Sequence, residues 1–126
     1  MNIPRELSYT KEHEWISIND NIGTVGITDY AQGELGDVVF VDIDPNLQEV
    51  IQNANFGTIE AVKTVSELYA PCSGKVIEIN KKLSDSPESV NSDPYGEGWM
   101  IKIEIADKSE LNNLLDEAAY SQLIGE

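Results

Sequence analysis

Thr58-Ile59-Glu60-Ala61-Val62-Lys63-Thr64-Val65-Ser66-Glu67-Leu68-Tyr69-Ala70 is the stretch on which the fold turns. Its apolar positions Ile59, Val62, Val65 and Leu68 or Tyr69 recur at helical spacing, and its Glu, Ala, Lys and Leu favour helix. Pro71 would stop such a helix. Nothing around Lys63 supplies the Asn-Gly or Gly-Gly of a tight hairpin. On propensity and periodicity alone, the stretch predicts an amphipathic helix.

The flanks predict something else. Glu14 to Ile18 alternates with a period near two, and Ile22 to Ile27 is β-branched with glycines that suggest close backbone approach. Asn19-Asp20-Asn21 between them reads as a turn. Thr28 to Gly36 predicts one or two helical turns, with Thr28 as N-cap and glycine as stop. Asp37 to Ile43, Gly74 to Ile79 and Trp99 to Ile105 read as further strands. Ser84 to Gly98 predicts an ordered loop with Tyr95 and Trp99 to pack it. Asp107-Lys108-Ser109-Glu110 has capping-box spacing, and Leu111, Leu114 and Leu115 follow at helical intervals. Asp116 marks the start of a second short turn. The Gly-x-Val starts at Gly23 and Gly74 form a faint internal echo that suits a pseudo-symmetric β fold. Six or more short strands without long intervening helices exclude a parallel α/β sheet.

Composition narrows the function. The chain has 126 residues, enough for one hydrophobic core, with 8 basic and 23 acidic side chains and a net charge of −15. Phosphate backbones and anionic membrane surfaces would repel it, so neither nucleic acid nor membrane is an expected partner. It holds no apolar run of about 18 residues to span a bilayer. Met1 to Lys11 lacks a basic-then-apolar leader, so a cytoplasmic location is expected. One cysteine, Cys72, and one histidine, His13, exclude an internal disulfide and a Cys/His zinc site.

From Glu12 to Gly74, 63 residues hold eleven acids and a single basic side chain, Lys63. Either Lys63 forms a surface ion pair with Glu60 or Glu67, or an amine is needed there as an attachment point. His13, between Glu12 and Glu14, has no nucleophile marked beside it and reads as a surface or packing residue. Cys72 reads as a small buried apolar residue. No phosphate-binding glycine pattern is present. With no catalytic or metal constellation, the chain reads as a carrier or binding module.

Four blocks then resemble a known family, the glycine cleavage system H proteins. They are Tyr9-Thr10-Lys11-Glu12-His13-Glu14-Trp15; Val25 to Gln32 with Leu35 to Val41; Glu60-Ala61-Val62-Lys63 with Ser66 to Pro71 and Ser73-Gly74; and Asn91 with Pro94 to Trp99. They occur in the family's order across roughly Tyr9 to Ile105. Ala61 and Thr64 replace the family's usual Ser and Ala beside the lysine, and Asp44 to Phe56 lacks a Pro-x-x-Gly often found there.

The resemblance implies a mainly β fold, the lipoyl/biotinyl-type barrel-sandwich hybrid, with short helices including a C-terminal helical segment. It implies one lipoyl-carrier domain over 1–126, with a core at about 22–105 and the helical segment at about 107–123. It puts Lys63 at a hairpin tip, against the helix predicted above. It also implies lipoate joined by an amide to Lys63, on a non-catalytic carrier. That carrier takes the aminomethyl group of glycine from a pyridoxal-phosphate glycine decarboxylase to a tetrahydrofolate-dependent aminomethyltransferase. A dihydrolipoamide dehydrogenase then reoxidises the arm, and a lipoate ligase or octanoyltransferase installs it. Glu14, Ser66 and Glu67 are the residues expected to line a docking cleft for the arm. An octanoyl or lipoyl relay carrier would use the same lysine; an unmodified acidic binding module would keep it as an ion-pair partner.

Overall fold

The computed structural model describes residues 2–126. Among the described residues, nine strands form two antiparallel sheets. They are β1 (Ser8–Tyr9), β2 (Glu14–Asn19), β3 (Ile22–Ile27), β4 (Val38–Asp42), β5 (Glu49–Val50), β6 (Asn55–Ala61), β7 (Val65–Tyr69), β8 (Gly74–Ile79) and β9 (Ile101–Ile105). One sheet has the order β1-β2-β3-β9-β8-β5 and the other β4-β6-β7. The helices are α1 (Asp29–Leu35), α2 (Lys82–Asp85), α3 (Ser89–Ser92) and α4 (Glu117–Ile124), with a 3-10 helix over Lys108–Asn113. Among the described residues no helix is long and apolar enough to cross a membrane.

The predicted helix over 58–70 is not formed. The stretch is the end of β6, a turn, and β7, paired Thr58↔Glu67, Ile59↔Ser66 and Glu60↔Val65. Burial explains why propensity lost. Ile59 and Leu68 are buried, but Val62 and Val65 are 73% and 61% exposed, so the helical stripe never becomes one buried face. Strand pairing instead turns Ile59 and Ala61 inward on β6, where β4 supplies the second ladder through Val41↔Ile59 and Val38↔Ala61. Tertiary pairing overrides a weak local preference here.

The main core lies between the sheets. Ile16, Val25, Ile27, Ile101, Ile103 and Ile105 come from one sheet, and Val38, Val41, Phe56, Ile59, Ala61 and Leu68 from the other. A smaller cluster of Leu7, Tyr9, Trp15 and Tyr120 fastens the two ends of the chain together. The glycines of β3 allow close approach: a Cβ at Gly26 would stand 2.8 Å from the Trp15 ring, and one at Gly23 would stand 2.6 Å from Ile16 Cδ1. The echoing strands β3 and β8 flank β9 on either side.

The Thr28–Gly36 helix forms as expected, with Ala31 N–H donating to Thr28 Oγ1 at 3.1 Å. The 84–98 loop is ordered: it starts in the last residues of α2 and contains the short helix α3. The capping box at 107–110 is not formed. Asp107 accepts from Ser109 N–H at 2.9 Å, while the Glu110 carboxylate is drawn away to Ser73 N–H and Oγ at 2.7 and 2.9 Å. The segment is accordingly a 3-10 helix. Leu111, Leu114 and Leu115 do not share one helix either: the helix ends at Asn113, Leu114 is extended, and Leu115 exchanges two backbone hydrogen bonds with Tyr9, each 2.8 Å. Asp116 then caps α4 through Ala119 N–H at 2.8 Å.

Candidate functional site

Lys63 is exposed in the turn that joins β6 to β7. Ala61 N–H donates to Thr64 C=O at 2.8 Å across the turn, and Val62 N–H donates to Asp37 C=O at 3.0 Å. The turn is therefore tied to the segment between α1 and β4. The Lys63 side chain lies across Gly36 in that segment, where a Cβ would stand 3.2 Å from Lys63 Cε and 3.7 Å from Nζ. Gly36 has φ +79° and ψ −157°, a conformation that only glycine adopts freely. Among the described residues the one ion pair within 4 Å is Lys102–Glu78. Lys63 is thus paired with neither Glu60 nor Glu67.

Asn91 holds this platform from below, and sequence reasoning did not single it out for that task. Its Oδ1 accepts from Val38 N–H at 2.8 Å, and its Nδ2 donates to Gly36 C=O at 2.9 Å and to Gln32 Oε1 at 3.0 Å. The only signal was its place at the head of the fourth block. Gly36 was read as a helix stop, which it is, but its role under the lysine needed the structure.

A cleft of about 280 Å³ opens beside the hairpin. Glu12, His13 and Glu14 line one side, Tyr30, Ala31, Glu34 and Leu35 of α1 another, and Ile59, Ser66, Glu67 and Leu68 of the hairpin a third. Glu14, Ser66 and Glu67, distant in sequence, thus meet around one space. Leu35 at its edge precedes the Gly36 over which Lys63 lies. A larger groove of about 840 Å³ runs along β8 past Leu47, Ile77 and Trp99 and holds none of these residues.

The carboxyl of Glu14 is almost wholly buried, at 1% exposure. Oε1 accepts from Thr10 Oγ1 at 2.6 Å and Oε2 from Tyr69 N–H at 3.2 Å. Burial pushes its pKa up to about 7, against the opposing effect of these two hydrogen bonds. The neighbouring His13 has φ +70° and is fixed by Tyr120, whose hydroxyl lies 2.9 Å from Nδ1 and 2.7 Å from Thr28 Oγ1. Burial pushes the imidazole down, so it favours the neutral form although Glu12 and Glu34 pull the other way. The histidine packs against Tyr30 with ring centroids 4.9 Å apart, in keeping with a packing residue. Cys72 is buried, and burial raises its thiol to about 11, so it is not a nucleophile at neutral pH. Among the described residues no group of three or more His, Cys, Asp or Glu side chains is arranged to hold a metal ion.

Two antiparallel sheets with a lysine displayed on the turn of a braced hairpin define a protein of the carrier class, built on the lipoyl-type barrel-sandwich. Comparison with known proteins is specific. Residues 7–126 match the model of the family described as Glycine cleavage H-protein. The glycine cleavage system H protein of Staphylococcus epidermidis (strain ATCC 12228) is 56% identical over 126 residues, covering both chains fully. That of Symbiobacterium thermophilum is 59% identical over 119 residues, or 94% of this chain and 93% of the relative. A crystal structure of a glycine cleavage system H protein from Mycobacterium marinum superposes with a TM-score of 0.87 at 36% identity, covering 98% of this chain and 100% of that one. The chain belongs to the glycine cleavage H-protein family. Members of this family are lipoyl-carrying subunits that shuttle between the enzymes of the glycine cleavage system, and they are carriers, not catalysts.

Proposed function

We propose that Lys63 is the attachment point of lipoate in this protein. The observation that carries this reading is an exposed, unpaired lysine on a braced turn, alone among eleven acids from Glu12 to Gly74. In the attachment step Lys63 Nζ, as free amine, attacks the acyl carbon of an acyl adenylate. The amide C–N bond forms as the acyl C–O bond to AMP breaks; AMP leaves with the electron pair and the amine proton passes to solvent. A lipoate ligase would form the adenylate, and an octanoyltransferase would reach the same amide from a thioester donor. The residues present fit the group: the lysine is free, and a cleft floored by Ile27, Ile59 and Leu68 lies beside it.

Once attached, the group would supply a strained disulfide able to take up a one-carbon amine, and it would be left as a dithiol only after the carbon had passed to tetrahydrofolate and ammonia had departed. The protein's own residues do the rest. The turn projects the arm away from the sheet, and its ties to Asp37 and Gly36 hold the point of departure in one place. Glu14, Ser66 and Glu67 are the candidates to receive the arm when it folds back. The apolar floor excludes water and the Glu12, Glu34 and Glu67 carboxylates at the rim suit a cationic end. The partners in this reading are a pyridoxal-phosphate glycine decarboxylase, a tetrahydrofolate-dependent aminomethyltransferase and a dihydrolipoamide dehydrogenase, in the cytoplasm. The whole of 1–126 serves as one lipoyl-carrier domain, its core at about 22–105.

Exchange of labelled bicarbonate into the carboxyl of glycine tests the reading, using the lipoylated protein and glycine decarboxylase. The expected result is exchange with wild type and none with a Lys63→Arg protein taken through the same loading reaction. Equal exchange with both would overturn it.

A further inference from the structure

β4 starts beside the turn that carries Lys63 and ends at Asp42, and the groove along β8 lies beyond that end. There the edge of the larger sheet is open. β5 covers β8 only at its start, through Glu49↔Lys75 and Val50↔Gly74, with one further bond of 2.8 Å from Val76 N–H to Gln48 C=O. Ahead of β5 the chain turns away: Leu47 N–H donates to Asp44 C=O at 3.0 Å, and Pro45 in that turn has no N–H to offer. β8 runs on to Ile79 with β9 on one side only. Asn80 N–H donates to Met100 C=O, so by antiparallel alternation Glu78 bonds to β9 while Ile79 turns its N–H and C=O outward.

The space between this edge and the turn is the groove of about 840 Å³, with Pro45 and Leu47 on one side and Ile77, Ile79 and Trp99 on the other. A cavity of about 130 Å³ adjoins it, walled by Val41, Ile43 and Leu83, and shares Pro45, Ile79 and Asn80 with it. Asn80 fixes the wall: Nδ2 donates to Trp99 C=O at 2.7 Å and Glu97 C=O at 2.9 Å, and Oδ1 accepts from Lys82 N–H at 3.2 Å. Four of the chain's eight basic residues, Lys75, Lys81, Lys82 and Lys102, stand on β8, just after it or on β9 beside it. Lys81 and Lys82 line the groove, exposed and in no ion pair, whereas Glu78 is drawn to Lys102 at 3.7 Å; Glu97 is the other acid of the lining.

We propose that this groove takes an extended segment of a partner protein, which adds to the free edge of β8, seats one aliphatic side chain in the adjoining cavity and sets a carboxylate against Lys81 and Lys82. The occupant follows from the edge, the cavity and the charge. An open edge offers a donor and an acceptor in line, which a peptide backbone matches and an acyl chain does not. The cavity is walled mainly by aliphatic side chains and has room for one more. The lysine pair stands at the end of the edge, on a chain whose net charge of −15 repels acidic segments elsewhere. Lysines at an open edge keep other strands away, and a carboxylate on the incoming segment lifts that barrier. A partner held here leaves the hairpin free, and the inference does not depend on what Lys63 carries.

The test titrates the nitrogen-15-labelled full chain with the symmetric peptide acetyl-Asp-Val-Thr-Leu-Thr-Val-Asp-amide, which offers the lysines a carboxylate in either strand direction. Saturable shifts are expected at Ile77, Ile79, Lys81, Lys82 and the Trp99 indole, with a Kd of about 0.1 mM. Exchange of Ile79 N–H should slow at saturation, and Lys63 should not shift. Combining Lys81→Glu with Lys82→Glu is expected to weaken binding about tenfold. The fully N-methylated peptide keeps the side chains but has no N–H donors, and it is expected to bind at least about tenfold more weakly than its parent. No saturable shift, equal binding of the N-methylated peptide, or shifts centred on the Lys63 hairpin would overturn the proposal, leaving the edge lysines only to keep other strands away. Shifts at the same residues with sodium decanoate and none with the peptide would overturn it in favour of an acyl carboxylate.

Discussion

Glu14 is a carboxyl that the fold holds between two protonation states at neutral pH. Its folded pKa is raised to about 7 from 4.5, so the folded state binds its proton more tightly than the unfolded state does. The stabilising effect of that proton is complete below pH 4.5 and is lost as pH rises through 7. The loss across that window is on the order of 3 kcal/mol. Glu14→Gln removes the titration but keeps the geometry, with its amide nitrogen donating to Thr10 Oγ1 and its carbonyl accepting from Tyr69 N–H. Urea midpoints of wild type should therefore fall from pH 5 to pH 8 relative to those of Glu14→Gln; parallel profiles would contradict this. At Gly36, backbone conformation and contact act together. Gly36→Ala forces a Cβ into a glycine-only region and against Lys63 Cε, so it should cost about 1–3 kcal/mol in a denaturant melt. The single lysine of the acidic half-chain was legible from composition, because charge asymmetry needs no fold to be seen. The burial of Glu14 was not legible, because it depends on Thr10 and Tyr69 arriving on either side of one carboxyl.

At the scale of elements, the hairpin and its brace act as one unit. Asn91 on α3 joins the end of α1 to the start of β4, and the segment between them holds the turn through Asp37 C=O. Asn91→Ala would leave Val38 N–H and Gly36 C=O without their side-chain partner. A loss of about 1–3 kcal/mol is expected, with faster amide exchange at Val62; unchanged exchange there would separate the brace from the turn. The strands flanking this unit were readable because alternation and turn residues are local signals. The hairpin itself was not, since Ile59, Val62, Val65 and Leu68 carry a helical period by accident of sequence. What decided it was pairing with β4, more than fifteen residues away, which no local window contains. The capping box failed for a similar reason: Glu110 found Ser73 instead of its own helix start.

For the whole molecule, two features set the behaviour. The chain ends meet where Tyr120 of α4 stacks on Tyr9 at 4.6 Å, and the Tyr120 hydroxyl reaches His13 and Thr28 at the cleft. Tyr120→Phe keeps the stack and deletes both hydrogen bonds, so it should destabilise by about 1–3 kcal/mol. The same change should shift the His13 imidazole resonance in a pH titration. The second feature is the net charge of −15, which works against compaction through self-repulsion. The melting temperature should rise with added sodium chloride; a flat or falling response would show that the charges are already balanced locally.

The account stands on Lys63 as the acceptor of lipoate, and intact mass with peptide mapping tests that most directly. The protein is incubated with a lipoate ligase, ATP and lipoate, beside a Lys63→Arg control. One lipoyl-sized adduct is expected, confined to the peptide containing Lys63 and absent from the control. A folded protein that stays unmodified while the same ligase loads a known acceptor, or an adduct on another lysine that persists in the control, would contradict the account.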